Sequence, residues 1–304
     1  MSRPVIPKDD RNRFIHNTLI RVATAGVGIP ILLWMLYRAP QWVFPCFCLI
    51  AIGRAAYELL RMATPLASSL IMVWGIFSTM LCAFFSALII VTGIVTGKKS
   101  ELTDLVVSFF DSLHPHAIVF PFLAILLIVA LTTLVVLLSA IPVEQAGFQL
   151  AWLFATNGYA GMLLSALPAL FLVGGGDWAL LAMVIAWSSD TGAYFAGRWF
   201  GKHALAPRIS PSKTIEGAVG GLLGSFIGML IVHPWISRSL LHLSVLTLVA
   251  NLAGQAGDLV ESMIKRSTGT KDSGAILPGH GGLLDRIDAL AFSSLVCLID
   301  CVWG

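Results

Sequence analysis

The stretch AIVFPFLAILLIVALTTLVVLLSAI, residues Ala117–Ile141, holds no charged side chain over twenty-five consecutive positions. At 1.5 Å rise per residue, about twenty such residues carry a helix across the hydrocarbon of a bilayer. A helix apolar on every side has no face to give to water, so it belongs in lipid or in a fully enclosed core. Working outward, Leu66–Gly97 is also uncharged, and Ile215–Val232 carries Glu216 alone. The 304 residues are 57% hydrophobic and 12% charged, against about a quarter charged in soluble domains. The chain reads as an all-α, polytopic integral membrane protein.

Segmentation at bilayer length predicts about nine transmembrane helices, near 18–37, 42–60, 68–96, 117–141, 148–171, 178–200, 214–233, 240–265 and 285–303. About five of them fall in an N-terminal region, 1–170, and about four in a C-terminal region, 171–304. The basic N-terminus and the apolar run to Tyr37 lack a small-residue cleavage site, so the first run is expected to be retained. Gly174–Gly176 suggests a turn and Gly217–Gly224 close helix packing. Lys98–His116 mixes polar and apolar residues and would suit the interface. Counting Lys and Arg orients the chain. With the N-terminus inside, twelve basic residues (Arg3, Lys8, Arg11, Arg13, Arg61, Lys202, Arg208, Lys213, Lys265, Arg266, Lys271 and Arg286) face the cytoplasm, and four (Arg38, Lys98, Lys99 and Arg238) face outward. Net charge is only +3 and no basic block is interleaved with aromatics, which gives no footprint for nucleic acid. The five cysteines lie in apolar runs without a metal-ligand pattern and read as packing residues.

Charge is concentrated in DLVESMIKRSTGTKDSGAILPGHGGLLDRID, Asp258–Asp288, which holds five carboxylates, four cations, one His and five Gly. Ionisable groups beside a membrane are costly and therefore suggest function. On a helix through Asn251–Arg266, the residues Asn251, Gly254, Asp258, Glu261, Ser262 and Lys265 recur at spacings of three and four and form one polar stripe. Asp258 needs a cation there: a helix-end salt bridge to Lys265 or Arg266, or a metal. Asp285 and Asp288 share a face at the start of the last helix, where the helix dipole favours anions and Arg286 can neutralise them. Carboxylates converging from two helix ends also suit Mg²⁺, which takes one or two of them plus water and phosphate oxygens. Between the helices, Lys271 and the Gly-rich turn with His280, Gly281 and Gly282 suit a polyphosphate, because Gly lets backbone N–H groups approach closely.

A second constellation is WSSDTGAYFAGRWFGKHALAPRISPSKTIEG, Trp187–Gly217. Asp190 stands in an apolar span and needs a partner. Ser210, Lys213 and Thr214 suit phosphate, although Ser212 or Thr214 also fits a plain N-cap, and the spacing is not that of a Walker loop. Arg54 and Glu58 are four apart and read as a structural pair. His16, His233 and His242 receive no role.

At these residues the chain resembles the phosphatidate cytidylyltransferase family. The resemblance rests on Ser262–Arg266, Lys271-Asp272 and His280–Asp288, and on Asp190–Tyr194, Phe200–Lys202 and Ser210–Thr214. It covers roughly residues 187–217 and 254–290. It implies an enzyme transferring the cytidylyl group of CTP to phosphatidic acid, giving CDP-diacylglycerol and pyrophosphate for phospholipid biosynthesis, with Mg²⁺ and K⁺ as candidate ions. It further implies a homodimer in the lipid bilayer, in the bacterial inner membrane, with its active site facing the cytoplasm. On that reading Asp258, Lys265, Arg266, Asp285 and Asp288 are catalytic, and Asp258 and Asp285 hold the metal with Asp288 and Asp190 nearby. Ser210, Lys213, Thr214, Lys271, His280, Gly281, Gly282 and Arg286 bind substrate. Two rivals remain from the residues alone: a transporter relaying ions through Asp190 and Asp258, and a lipid kinase with the same metal logic. No two-half repeat supports the transporter.

Overall fold

The computed structural model describes residues 26–64, 67–94, 119–139, 141–274 and 281–303. Its helices are α1 (Gly26–Tyr37), α2 (Val43–Ala63), α3 (Ser69–Ile94), α4 (Val119–Leu138), α5 (Val143–Thr156), α6 (Ala166–Phe200), α7 (Ile215–Val232), α8 (Leu240–Ser267) and α9 (Leu284–Trp303). A π-helical turn, Asn157–Leu163, carries α5 toward α6. Among the described residues, six helical stretches are long and apolar enough to cross a membrane. About nine are predicted from the sequence, and the difference has physical causes. The predicted spans 148–171 and 178–200 lie inside one stretch, Val143–Phe200. The last helix begins with Asp285, Arg286 and Asp288 and carries Asp300 near its end, which removes it from the apolar class. Of the first predicted span only Gly26–Tyr37 is among the described residues, and it is short.

The surface has the character of a lipid-facing one. Leu137, Leu138, Leu223, Ile227, Ile231, Leu241 and Leu252 are all exposed, a band that a water-soluble monomer would have to cover. Inside, Phe44, Leu170, Leu181, Ile185, Met229 and Leu243 are fully buried and join α2, α6, α7 and α8 around one core. Hydroxyls within the apolar helices bond back to their own backbone. Thr132 donates to the Ile128 carbonyl, and Thr79 to that of Gly75, each at 2.7 Å. That satisfies groups for which lipid offers no partner.

The C-terminal helices set up the site. Gly175, at φ 81°, breaks the regularity of α6; that conformation is costly for residues with a Cβ. Beyond the break, α6 packs closely on α7 through small residues, Gly192 against Gly220 and Ser188 against Gly224. α9 packs against both α6 and α8. Between α6 and α7 the chain forms an antiparallel hairpin, β1 (Ala204–Ala206) and β2 (Ser210–Thr214), with Ala204 opposite Thr214 and Ala206 opposite Ser210. From the sequence alone this segment is expected to be a loop. Thr214 closes the hairpin and N-caps α7, its hydroxyl accepting the Gly217 N–H at 3.0 Å. Glu216 anchors the other arm, accepting the backbone N–H groups of Lys202 and His203 at 3.0 and 3.2 Å.

Candidate active site

A cavity of about 1210 Å³ opens where α6, the hairpin, α8 and the start of α9 meet. Each element contributes for a local reason. The polar stripe of α8 supplies Asn251, Gln255, Asp258, Ser262 and Lys265, because residues three and four apart share a helix face. From α6 come Asp190, Tyr194 and Arg198; from the hairpin, Ser210, Lys213 and Thr214; from α9, Asp285, Arg286 and Asp288. Lys271 and Gly281 complete that wall. Of the residues singled out in the sequence, Gly282 lies behind the wall, and His280 lies outside the described residues. Asp190 lines the cavity with its side chain accessible.

The floor is a hydrogen-bonded network that ties three helices together. The Asn251 side-chain amide donates to the hydroxyls of Ser189 and Ser225 at 2.8 and 2.7 Å, and Ser225 donates to the Ile185 carbonyl at 2.8 Å. Gln255 donates to the Asn251 side-chain oxygen at 2.7 Å and to the Ala218 carbonyl at 3.0 Å. Buried polar groups that are fully paired in this way fix relative helix positions.

The charged groups sort differently from the pairs the spacing suggests. Asp258 meets Lys213 of the hairpin, Nζ to Oδ1 2.5 Å, whereas Lys265 and Arg266 are the partners expected along its own helix. Lys265 instead bridges Glu261, one turn before it, and Asp285 of α9, at 2.7 Å from the latter. Asp285 is occupied on both sides, because its other oxygen accepts the N–H groups of Ser273 and Gly282 at 3.2 and 3.0 Å. Arg266 donates to the Ile209 and Thr270 carbonyls, each at 3.2 Å, so it fastens the hairpin to the end of α8.

The carboxylates that converge are Asp258, Glu261 and Asp288, with one oxygen of each lying within 4.8 Å of the other two. Glu261 is fully buried and Asp288 is 5% exposed. One oxygen of Glu261, Oε2, is met by the Lys265 ammonium. Three anions so close, two of them buried, leave room for one more cation. Five carboxylates and six cations line the cavity itself, so it is close to neutral with Glu261 behind it. A polyanion entering it would bring the shortfall of positive charge that a divalent ion fills.

Glu261 is on the predicted polar stripe but is not among the expected site residues; its i+3 spacing from Asp258 is the signal that points to it. The Arg54–Glu58 pair expected from the spacing is present at 3.2 Å, whereas the network of Asn251 and Gln255 depends on long-range contacts and has no signal in the spacing. His242, left without a role, pairs with Asp300 at 2.8 Å where the first turn of α8 meets the end of α9.

Fold and site together define a polytopic membrane protein with a carboxylate-rich, cation-lined cavity at one end of its helices. The chain matches the model of the cytidylyltransferase family over residues 19–302 and belongs to that family. It is similar to the phosphatidate cytidylyltransferase of Staphylococcus saprophyticus subsp. saprophyticus, 50% identical over 117 residues, which are 38% of this chain and 45% of that protein. Similar figures hold for the enzymes so named of Staphylococcus epidermidis, 50% over 120 residues (38% and 45%), and Staphylococcus aureus, 51% over 117 residues (38% and 45%). The aligned stretch thus spans less than half the length of these relatives.

Proposed function

We propose that the protein transfers the cytidylyl group of CTP to phosphatidic acid, forming CDP-diacylglycerol and releasing pyrophosphate. The observation that carries this reading is the convergence of Asp258, Glu261 and Asp288 within 4.8 Å, in a cavity otherwise rich in Lys and Arg. Family membership and the names of the bacterial relatives support it.

The donor set fits Mg²⁺: all three groups are hard oxygen ligands, and one oxygen of each lies within 4.8 Å of the other two. Asp258, Glu261 and Asp288 would hold the ion, with Asp285 and Asp190 beside them. Bound there, Mg²⁺ supplies charge neutralisation at the phosphates. The rest of the chemistry belongs to the side chains. A lipid phosphate has its second pKa near 6 and is largely a dianion at neutral pH, so the nucleophile needs no strong base. A phosphatidate oxygen attacks the α-phosphorus of CTP, and the bond from that phosphorus to the bridging oxygen breaks. Pyrophosphate leaves with the electron pair. Lys213, Lys265, Lys271 and Arg286 lower the repulsion between the two anions, while Ser210, Thr214 and the backbone at Gly281 orient phosphate oxygens. Tyr194, exposed beside the cavity, gives the lipid an amphipathic edge to lie against.

The same reading extends to about nine spans in the bacterial inner membrane, a homodimer, K⁺ as an additional ion and a cavity facing the cytoplasm. Charge bias and the helical character of α1 and α9 support the spans and the orientation, and the family resemblance supports the dimer and K⁺. The test is the full chain in lipid nanodiscs with CTP, phosphatidic acid and Mg²⁺. Equimolar pyrophosphate and CDP-diacylglycerol, identified by mass, are expected. Release of CDP with a phosphorylated lipid would make it a kinase instead, and no turnover by folded protein would overturn the reading.

A further inference from the structure

Glu58 stands outside the cavity, on α2, in the half of the chain where the sequence offers no chemistry. It is 1% exposed. Its carboxylate accepts four donors: the Arg54 guanidinium at 3.2 Å, the Ser273 hydroxyl at 3.3 Å, and the backbone N–H groups of Leu283 and Leu284 at 3.2 and 2.9 Å. The last two stand at the N-cap and the first residue of α9, where N–H groups have no partner within the helix.

Helices usually meet that need with a Ser, Thr, Asp or Asn at the N-cap. Here the N-cap position is Leu283, and the Asp285 side chain reaches back past it to the Gly282 N–H at 3.0 Å. Leu283 itself has an apolar side chain and can cap no N–H, and the residue before it is glycine. A Cβ there would overlap the Ser273 hydroxyl and stand 2.8 Å from Glu58 Oε2. Glu58 therefore supplies from α2 the acceptor that Leu283 lacks, and Gly282 leaves it room. An anion at a helix N-terminus is also favoured by the helix dipole.

We infer that Glu58 is a positioning residue: its carboxylate caps α9 from α2 and ties Ser273 to the same point, so that Asp285 and Asp288 face the cavity at fixed positions. It touches no cavity space, so its effect is transmitted through α9. The inference deepens the proposed function, on which its kinetic part rests.

The experiment compares wild-type full chain with Glu58→Gln and Glu58→Ala in nanodiscs, by hydrogen–deuterium exchange and by pyrophosphate release. Expected is exchange faster by about tenfold or more at residues 283–286, since loss of a cap contact costs on the order of 1 kcal/mol or more. Exchange in α7 and the unfolding midpoint should stay close to wild type in Glu58→Gln, which conserves shape. Turnover should fall in kcat by at least about tenfold while KM for phosphatidic acid changes little. Unchanged exchange at the start of α9, or a kcat within twofold of wild type, overturns the inference. If Glu58→Ala does not fold, Glu58→Gln decides. If the wild type itself makes no pyrophosphate, the proposed function fails, and the exchange measurement still decides whether Glu58 holds the helix.

Discussion

Glu261 is fully buried one turn from Asp258 and shares with Asp288 a space 4.8 Å across. Lys265, its partner, is divided with Asp285. Such a cluster costs stability when no further cation is present, since each carboxylate is desolvated beside another. Replacing Glu261 by Gln removes one of these charges without changing shape. The Mg²⁺-free protein is then expected to gain about 1 kcal/mol or more, read as an unfolding midpoint raised by about 2–4 °C. The same variant should lose the stabilisation that Mg²⁺ gives the wild type, and turnover should fall at least about 100-fold. Asp285→Asn makes the contrast. Its carboxylate is spent on Lys265, Ser273 and Gly282, so the variant should lose activity while its midpoint still rises with added Mg²⁺. A thermal-shift titration with Mg²⁺ on both variants checks the pair; equal loss of the Mg²⁺ response would make Asp285 a ligand too.

Among the elements, the seam between α6 and α7 decides where the hairpin sits, because β2 runs directly into α7 and delivers Lys213 to Asp258. Gly224 faces the Ser188 carbonyl so closely that a side chain cannot fit without parting the helices. Gly224→Leu is expected to destabilise by about 3 kcal/mol or more and to abolish activity. Gly147, exposed in α5 with nothing within 4 Å of the place a methyl group would take, is the control: Gly147→Ala should be neutral or stabilising by up to about 1 kcal/mol. Midpoints and yields of the two variants in one detergent test the contrast. Hydropathy places a helix at 214–233 and one at 240–265, against Ile215–Val232 and Leu240–Ser267, because apolar length is a local property. The polar stripe of α8 is legible for the same reason. The hairpin is not, since its stability comes from Glu216 and Arg266, contacts made across elements. Nor are Lys213 as the partner of Asp258, or Ser273, Leu283 and Leu284 as partners of Glu58, which lie far along the chain and leave no periodic trace, whereas the expected Arg54–Glu58 pair is present at 3.2 Å.

For the molecule as a whole, the issue is which end of the bundle carries the cavity. The C-terminus of α8 and the N-terminus of α9 line it, as do the hairpin residues that lead into α7. α7 then runs 18 residues away from it, about 27 Å at helical rise, before Arg238 and the start of α8. Arg238 stacks over the Trp178 ring at 5.9 Å, at the end where His242 meets Asp300. Lys202 and Lys271 therefore stand at one end of the bundle and Arg238 at the other. The cavity end also holds most of the described cations, which the positive-inside rule assigns to the cytoplasm. Single cysteines report the outcome. With Cys46 and Cys301 changed to Ser and the other three native cysteines buried, Lys202→Cys in sealed, inside-out membrane vesicles should react with a membrane-impermeant maleimide. Arg238→Cys should react only after the vesicles are opened with detergent. The reverse pattern would turn the cavity to the outer side, away from the cytoplasmic nucleotide, and would remove CTP as its substrate in the cell even if the purified protein accepted it.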